Sequence, residues 1–150
     1  MRVIIQRVKE SKVEINNQVH GAIDYGYVLL VGFTEGDNEV IAQKMAKKVV
    51  ELRIFEDEQG KMNKSLKDVG GKILSISQFT LYANCTEGRR PSFVNAMRLE
   101  GASRLYDLFN QELSNLEVKV ETGIFQSDMQ VHILNDGPVT IILDSKELKY

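Results

Sequence analysis

The chain has 150 residues and a formal net charge of −2 at pH 7, with 43% hydrophobic and 27% charged residues. This composition is ordinary for a soluble globular domain, and we expect one domain over residues 1–150. The charge argues against a dedicated nucleic-acid-binding module, although it allows contact with RNA through a local cluster of Lys and Arg. No apolar run approaches the roughly 18 residues of a membrane-spanning helix, and the apolar start is too short for a signal peptide. The single cysteine fits a reducing compartment, so a cytoplasmic protein is expected.

Strand patterns fill the first third of the chain. Val3 to Val8 is rich in apolar residues, and Lys12 to Ile15 with Gln18 to Ile23 flank Asn16-Asn17. Asparagine tolerates the left-handed backbone of a tight turn, so these two runs are predicted to form a hairpin. Tyr27 to Phe33 is almost wholly apolar, which indicates a strand buried on both faces.

A helical period follows. Asp37 or Asn38 can cap a helix that runs to about Arg53, with its apolar residues on one face. The polar, glycine-containing stretch from Glu56 to Lys72 predicts a loop. Lys72 to Leu81 is then predicted to be a strand.

The last part of the chain predicts one further helix and three strands. Asn84 to Pro91 is expected to be a loop, and Pro91 or Ser92 to begin a helix that ends near Leu113. The strands are expected over Leu116 to Thr122, Met129 to Leu134 and Val139 to Leu143. Helices lying between more numerous strands indicate an α/β or α+β domain with mixed sheets.

The familiar catalytic motifs are absent. The chain has no Walker loop, dinucleotide fingerprint, CxxC, HExxH or GxSxG motif. Its two histidines, His20 and His132, lie on separate predicted strands, where ordinary strand residues are the simpler interpretation. We therefore expect neither a metal nor a cofactor.

Three polar segments stand out against this background. Ser77-Gln78-Phe79-Thr80 closes a buried strand with hydroxyl and amide groups, or alternatively marks a strand leaving the core. Asn135-Asp136-Gly137-Pro138 contains chemistry typical of a hairpin turn between two strands. Gly88 to Phe93 places Arg89 and Arg90 before a predicted helix, as an anion site or simply as a solvated loop.

Together, in this order and in a chain this short, the three segments resemble the D-aminoacyl-tRNA deacylase family, also called D-tyrosyl-tRNA deacylase. The opening Met1 to Val8, Gly32-Phe33-Thr34 with Gly36-Asp37, and Met62-Asn63 with Ser65-Leu66 are similar to the family as well. The similarity covers the whole chain.

The resemblance implies an α/β fold with layered, barrel-like mixed and antiparallel sheets, two main helices and a tight homodimer. It implies hydrolysis of the ester between a D-amino acid, or glycine, and the terminal adenosine of tRNA. The Gly137-Pro138 peptide would be cis, and this turn would reach into the active site of the other subunit, braced by Arg7. Catalysis is assigned to Ser77, Gln78, Phe79 and Thr80, and the adenosine pocket to Phe125, Met129, Val139 and Thr140.

The chemistry of these residues is consistent with that activity and leaves two mechanisms open. Backbone N–H groups of Phe79 and Thr80 at a strand end could stabilise a developing oxyanion. The Thr80 hydroxyl could be a nucleophile, but no neighbouring base activates it, so we favour attack by water assisted by the ribose 2′-hydroxyl. The basic residues Arg89, Arg90, Lys47, Lys48 and Arg53 are candidates for contacts with tRNA phosphates.

Discrimination between D- and L-amino acids cannot depend on the shape of the substrate's side chain. A side-chain pocket selects by side-chain shape, whereas a backbone wall at Gly137 and Pro138 can refuse every L-amino acid. The alternatives are a hydrolase of another small D-amino-acid ester and a non-catalytic RNA-binding dimer. The expected partners are tRNA and a second copy of the chain, with neither DNA nor membrane.

Overall fold

The computed structural model describes all of residues 1–150. It contains eight strands, two α-helices and one 3₁₀ turn. In chain order these are β1 (Arg2–Ile15), β2 (Gln18–Ile23), β3 (Gly26–Gly32), α1 (Glu39–Glu51), β4 (Phe55–Glu56), β5 (Met62–Lys64), β6 (Lys72–Ser77), the 3₁₀ turn (Phe79–Tyr82), α2 (Leu99–Asn115), β7 (Val120–Thr122) and β8 (Gln130–Asp144).

The long strand β1 organises a mixed six-stranded sheet. It pairs antiparallel with β2, β3 and β8, while β3, β6 and β7 run parallel to one another. The sheet curls until its two ends meet, where the Nδ1 atom of His20 on β2 lies 2.9 Å from the carbonyl oxygen of Thr122 on β7. The expected α/β domain with a barrel-like mixed sheet and two main helices is therefore confirmed.

Two apolar cores hold the layers together. The larger one lies between the helices and the sheet, where Tyr27, Phe55 and Phe109 are fully buried. The smaller one fills the inside of the curled sheet and includes Val28 and Leu74. Because β3 contributes to both cores, it is buried on both faces, as its apolar run predicts.

The first helix and the first hairpin match the sequence closely. The Asn38 side chain accepts a hydrogen bond from the Ile41 backbone N–H at 3.1 Å and caps α1. Asn16 and Asn17 both have positive φ in the turn between β1 and β2. The predicted loop between Glu56 and Lys72 contains the short β4–β5 hairpin. No helix combines the length and apolar character needed to cross a membrane.

The second helix begins later than Pro91 or Ser92, so that prediction is wrong. Ser92 instead exchanges two backbone hydrogen bonds with Asn84, and the Met97 N–H donates to the Phe33 carbonyl at 2.9 Å. These long-range pairs, with a turn at Val94-Asn95 between them, keep the segment out of a helix until α2 starts at Leu99. The strand predicted over Lys72 to Leu81 also ends earlier, at Ser77, where the 3₁₀ turn follows.

The segment at Gly137-Pro138 is not a hairpin turn. Residues 130–133 and 140–144 pair with the same strand, β1, and the register shifts between them. The intervening residues form a bulge within β8, and the Gly137-Pro138 peptide in this bulge is cis, as the resemblance implies. The chain therefore continues through Pro138 instead of reversing there.

Candidate active site

A pocket of about 580 Å³ opens where the parallel strands β3 and β6 end beside the start of α2. Ligand sites of open α/β sheets are commonly found at this edge. Its lining is mostly apolar and consists of residues 31–33, 76–79, Met97, Leu99, Ala102, residues 125–129 and Val131.

Ser77, Gln78 and Phe79 form one wall of this pocket, and Thr80 follows directly. The Gln78 N–H donates to the Val31 carbonyl at 2.7 Å and extends the parallel ladder by one residue. Phe79 and Thr80 then begin the 3₁₀ turn, and the first N–H groups of a helical turn have no partner within it. The Gln78 side-chain amide donates to the Thr80 hydroxyl oxygen. The predicted catalytic segment thus presents backbone donors at the mouth of a pocket.

A buried hydrogen bond attaches this wall to α2. The Tyr106 hydroxyl donates to the Ser75 carbonyl at 2.8 Å, two residues before Ser77. Burial raises the pKa of the Tyr106 hydroxyl, which keeps this donor protonated. The Phe125 ring packs 6.0 Å from that of Tyr106, centroid to centroid. Phe125 and Met129, both assigned to the adenosine pocket, line the same cavity as Ser77 to Phe79.

No side chain positioned to act as a base contacts Thr80. Asp128 is the only acidic or basic side chain among the pocket residues, and it is exposed. His132 pairs with Glu14 at 2.8 Å, and His20 contacts Thr122, so neither histidine lines the pocket. No group of three or more His, Cys, Asp or Glu side chains is arranged to hold a metal ion.

Arg7 holds the bulge that contains Gly137 and Pro138. Arg7 is 5% exposed, and its guanidinium donates to the Ile54 carbonyl at 2.8 Å and to the Asp136 carbonyl at 3.3 Å. The Asp136 carboxylate lies 3.4 Å from the same guanidinium. Arg7 therefore connects the bulge to the segment that follows α1.

Within one chain, the bulge and the pocket are far apart. Ser77 is opposite Val31, Val31 is opposite Val3, and Val3 is opposite Leu143. In the order of the sheet, β3 and β1 lie between β6 and β8, and Gly137 lies six residues, about 20 Å, before Leu143 along its strand. Val139 and Thr140 lie beside the bulge, so they do not line the pocket with Phe125 and Met129 of the same chain.

The candidate phosphate-binding residues fall at two places. Arg89 and Arg90 are exposed on the loop between the 3₁₀ turn and α2, the loop that also carries Phe93. Lys47 and Arg53 line a separate depression with Leu116, which follows the last residue of α2. Leu99 at the start of α2 lines the first pocket. The pocket and the depression are therefore at opposite ends of this helix, about 25 Å apart. Lys48 lies beside Lys47 on α1.

Sequence reasoning missed part of the pocket lining. Met97, Leu99 and Ala102 were not predicted to line a pocket, because α2 was expected to begin at Pro91 or Ser92 and begins at Leu99. Gly32 was detectable, because a glycine inside a strand indicates close backbone approach. A Cβ atom at Gly32 would lie 2.9 Å from the Gln78 carbonyl oxygen, so only glycine lets the two strand ends come together.

Comparison with known proteins agrees with this geometry. The family model described as D-Tyr-tRNA(Tyr) deacylase matches residues 4–144. The D-aminoacyl-tRNA deacylase of Halalkalibacterium halodurans is 53% identical over 146 residues, which cover 97% of this chain and 100% of that protein. That of Thermus aquaticus is 54% identical over 147 residues, covering 98% of this chain and 97% of that protein.

Two solved structures have the same fold. One, titled c-Myc DNA Unwinding Element Binding Protein, superposes with a TM-score of 0.91 at 39% identity and covers 97% of this chain and 99% of that one. The other, titled as a probable eukaryotic D-amino acid tRNA deacylase, has a TM-score of 0.83 at 16% identity. It covers 95% of this chain and 97% of that one, and it shows the fold alone.

The fold, the strand-end pocket and the matched relatives define a hydrolase that acts on the ester bond of aminoacyl-tRNA. The chain belongs to the D-Tyr-tRNA(Tyr) deacylase family.

Proposed function

We propose that each active site of this D-aminoacyl-tRNA deacylase is built from two copies of the chain. The pocket and its backbone donors come from one subunit, and the Gly137-Pro138 bulge comes from the other. The observation that supports this most directly is the separation of the two segments across the sheet of one chain. Within one subunit, neither Gly137 nor Pro138 lines the pocket.

The outer edge of β8 is a suitable surface for the homodimer. Strand β8 pairs only with β1 and leaves its other edge free. Leu134 and Ile142 on this strand are 53% and 61% exposed. Apolar side chains on an unpaired edge favour association with another chain, and a symmetric dimer covers both edges.

In this dimer the bulge selects the amino acid by its chirality. Backbone atoms of Gly137 and Pro138 occupy the side on which an L side chain would project, whereas a D side chain points away from them. Glycine has no side chain, so the same wall admits it, and glycyl-tRNA becomes a second substrate. Selection by backbone explains how many different D side chains are accepted by one site.

Hydrolysis then proceeds by attack of water on the ester carbonyl. The N–H groups of Phe79 and Thr80 stabilise the oxyanion, and Ser77 and Gln78 hold that strand end in position. The 2′-hydroxyl of the terminal ribose assists the attacking water, while Phe125 and Met129 hold the adenosine. A threonine nucleophile is disfavoured, because the Thr80 oxygen accepts a hydrogen bond from Gln78 and has no base beside it.

The test of this proposal is a deacylation assay with pure protein. D-Tyr-tRNA and glycyl-tRNA are expected to lose their amino acid, and L-Tyr-tRNA is expected to stay intact. The same rates of deacylation are expected after treatment with a chelator and in a reducing buffer at neutral pH, as in the cytoplasm. Hydrolysis of L-Tyr-tRNA as fast as D-Tyr-tRNA would contradict the proposed filter.

Thr80→Ala is expected to keep single-turnover activity on D-Tyr-tRNA within about tenfold, because it removes one exposed hydrogen bond worth about 1 kcal/mol. Replacing the terminal 2′-hydroxyl of the tRNA by hydrogen is expected to slow hydrolysis at least about a hundredfold, the usual effect of losing a positioned proton-transfer group. Both rates are measured by rapid quench. Loss of nearly all activity in Thr80→Ala, with tRNA binding intact and Thr80→Ser active, would instead establish a threonyl ester intermediate.

Arg89 and Arg90 are proposed to contact tRNA phosphates near the 3′ end, and Lys47 and Lys48 to contact a more distant part of the tRNA. Removing both arginines is expected to reduce the slope of log affinity against log salt by about 1.4, or about 0.7 per contact with a single strand. Binding is measured with whole tRNA and with a short 3′-terminal RNA. Lys47→Ala with Lys48→Ala serves as the comparison, since it is expected to weaken binding only of whole tRNA.

A further inference from the structure

Two phenylalanines stand half exposed at the rim of the pocket. Phe79 and Phe93 are 51% and 40% exposed, and their rings pack edge to face with centroids 5.0 Å apart at an angle of 64°. Covering the exposed half of each ring with an apolar or aromatic ligand would be favourable, because it removes apolar surface from water. Their exposed ring surfaces are therefore available for stacking.

The loop that carries Phe93 is held rigidly against the pocket. Asn84 and Ser92 exchange backbone hydrogen bonds of 2.7 and 2.9 Å, and the Thr86 N–H donates to the Asn84 side chain at 3.0 Å. On the other side of Phe93, the Thr34 hydroxyl donates to the Asn95 carbonyl. The backbone on both sides of Phe93 is thus tied down, and one of these contacts is to Thr34, which follows the end of β3 by two residues.

The loop that carries Phe93 also carries two positive charges that favour an anionic partner. Arg89 and Arg90 are exposed on the same loop, and no salt bridge occupies either of them; Glu87 is the one acid beside them in sequence. Half-exposed aromatic rings beside guanidinium groups are the combination with which proteins bind single-stranded nucleic acid.

We propose that Phe79 and Phe93 form a stacking platform for the unpaired nucleotides that directly precede the terminal adenosine of tRNA. The proposal builds on the proposed position of the adenosine in the pocket. Phe79 belongs to both the pocket lining and the platform. The single-stranded RNA end therefore passes directly from the platform into the pocket. Arg89 and Arg90 face the phosphates between the stacked bases.

The kinetic test compares two substrates of different length. Phe93→Ala is expected to raise KM for D-Tyr-tRNA about tenfold, in line with the loss of one stacked base, and to leave kcat/KM for the D-tyrosyl ester of adenosine unchanged. Phe93→Tyr is expected to restore KM, because it retains the ring. Val94→Ala is the matched control, because it truncates the neighbouring side chain, which is 79% exposed. It is expected to leave the kinetic constants for both substrates unchanged.

Other outcomes of this test overturn the platform. Equal losses on both substrates would mean that Phe93 only supports Phe79 in the pocket. An unchanged KM for tRNA, or dissociation of the dimer by Phe93→Ala in size-exclusion chromatography, would assign the rings to another role. By contrast, failure of wild-type protein to hydrolyse D-Tyr-tRNA would overturn the proposed function itself.

A direct binding measurement gives an independent answer. The chain has no tryptophan, so Phe93→Trp introduces a single fluorophore into the platform. The RNA trinucleotide CCA is expected to quench its fluorescence, and adenosine monophosphate, which fills only the pocket, is expected to leave it unchanged. Quenching by neither ligand, or by both equally, would contradict stacking at this position.

Discussion

Gly137→Ala is expected to lower kcat/KM for D-Tyr-tRNA by about two orders of magnitude. Gly137 has φ of +127°, which side-chain-bearing residues rarely adopt. An added Cβ would lie 2.8 Å from a methyl carbon of Val139 and 2.9 Å from its backbone nitrogen, so the bulge must shift. A displacement of about 1 Å at a positioning group typically costs about a hundredfold in rate. Rates on D-Tyr-, L-Tyr- and glycyl-tRNA are measured together.

The chain offers a matched control for this substitution. Gly60 also has positive φ, +74°, but a Cβ there would meet nothing within 4 Å. Gly60→Ala also places a side chain at a positive φ, but away from the site, and is expected to keep full activity. If Gly137→Ala hydrolysed D-Tyr-tRNA normally and still refused L-Tyr-tRNA, the bulge would have no part in chiral selection.

Mixed dimers test whether Gly137 acts on the partner subunit. Gly137→Ala and Phe125→Ala damage opposite parts of the proposed composite site. A dimer with one subunit of each type has one site with both changes and one site with none. Activity is therefore expected to rise when the two variants are unfolded and refolded together, whereas a site built within one chain would stay impaired.

The sequence predicts elements that depend on their own residues. Helix α1 forms where Asn38 can cap it and an apolar face repeats, and β3 forms where an unbroken apolar run lies between glycines. The strand-end donors at Ser77 to Thr80 were also detectable, because polar groups interrupt a buried run. These features depend on residues that are close in the sequence, so the folded chain retains them.

Features that depend on distant partners were not predictable in this way. The start of α2 is delayed by pairing of Ser92 with Asn84 and of Met97 with Phe33. Strand β8 continues through Gly137 and Pro138 because both of its halves pair with β1. The residues of this segment favour a turn, but pairing with β1 on both sides of it produces a bulge instead.

The relative position of Ser77 to Thr80 and of Gly137-Pro138 was likewise not predictable. Their distance depends on the strand order β8-β1-β3-β6, which no local pattern encodes. Resemblance supplied the idea of a site shared between subunits. The register of three strand pairs now gives that idea a geometric reason within this chain.

Arg7→Met is expected to lower the free energy of unfolding by about 2–4 kcal/mol, because methionine retains the aliphatic stem but leaves one buried and one partly buried carbonyl without their donor. These are the carbonyls of Ile54 and Asp136, at 2.8 and 3.3 Å from the guanidinium. Without this connection the bulge is free to move, so kcat/KM for D-Tyr-tRNA is expected to fall at least about tenfold. Unfolding is followed by urea titration, and activity is measured well below the melting temperature.

Two comparisons separate the structural part of this effect from the functional part. Lys12→Met lies on the same strand and removes only an exposed ion pair with Glu14 at 3.2 Å, so stability is expected to change by less than about 1 kcal/mol. Arg7→Lys retains the charge but cannot donate to both carbonyls in the same geometry, and an intermediate loss is expected. If Arg7→Met were destabilised yet fully active and stereoselective, Arg7 would support the fold alone. A loss of activity larger than the change in folded fraction shows instead that the position of the bulge, and therefore the wall that faces the substrate, depends on this one buried guanidinium.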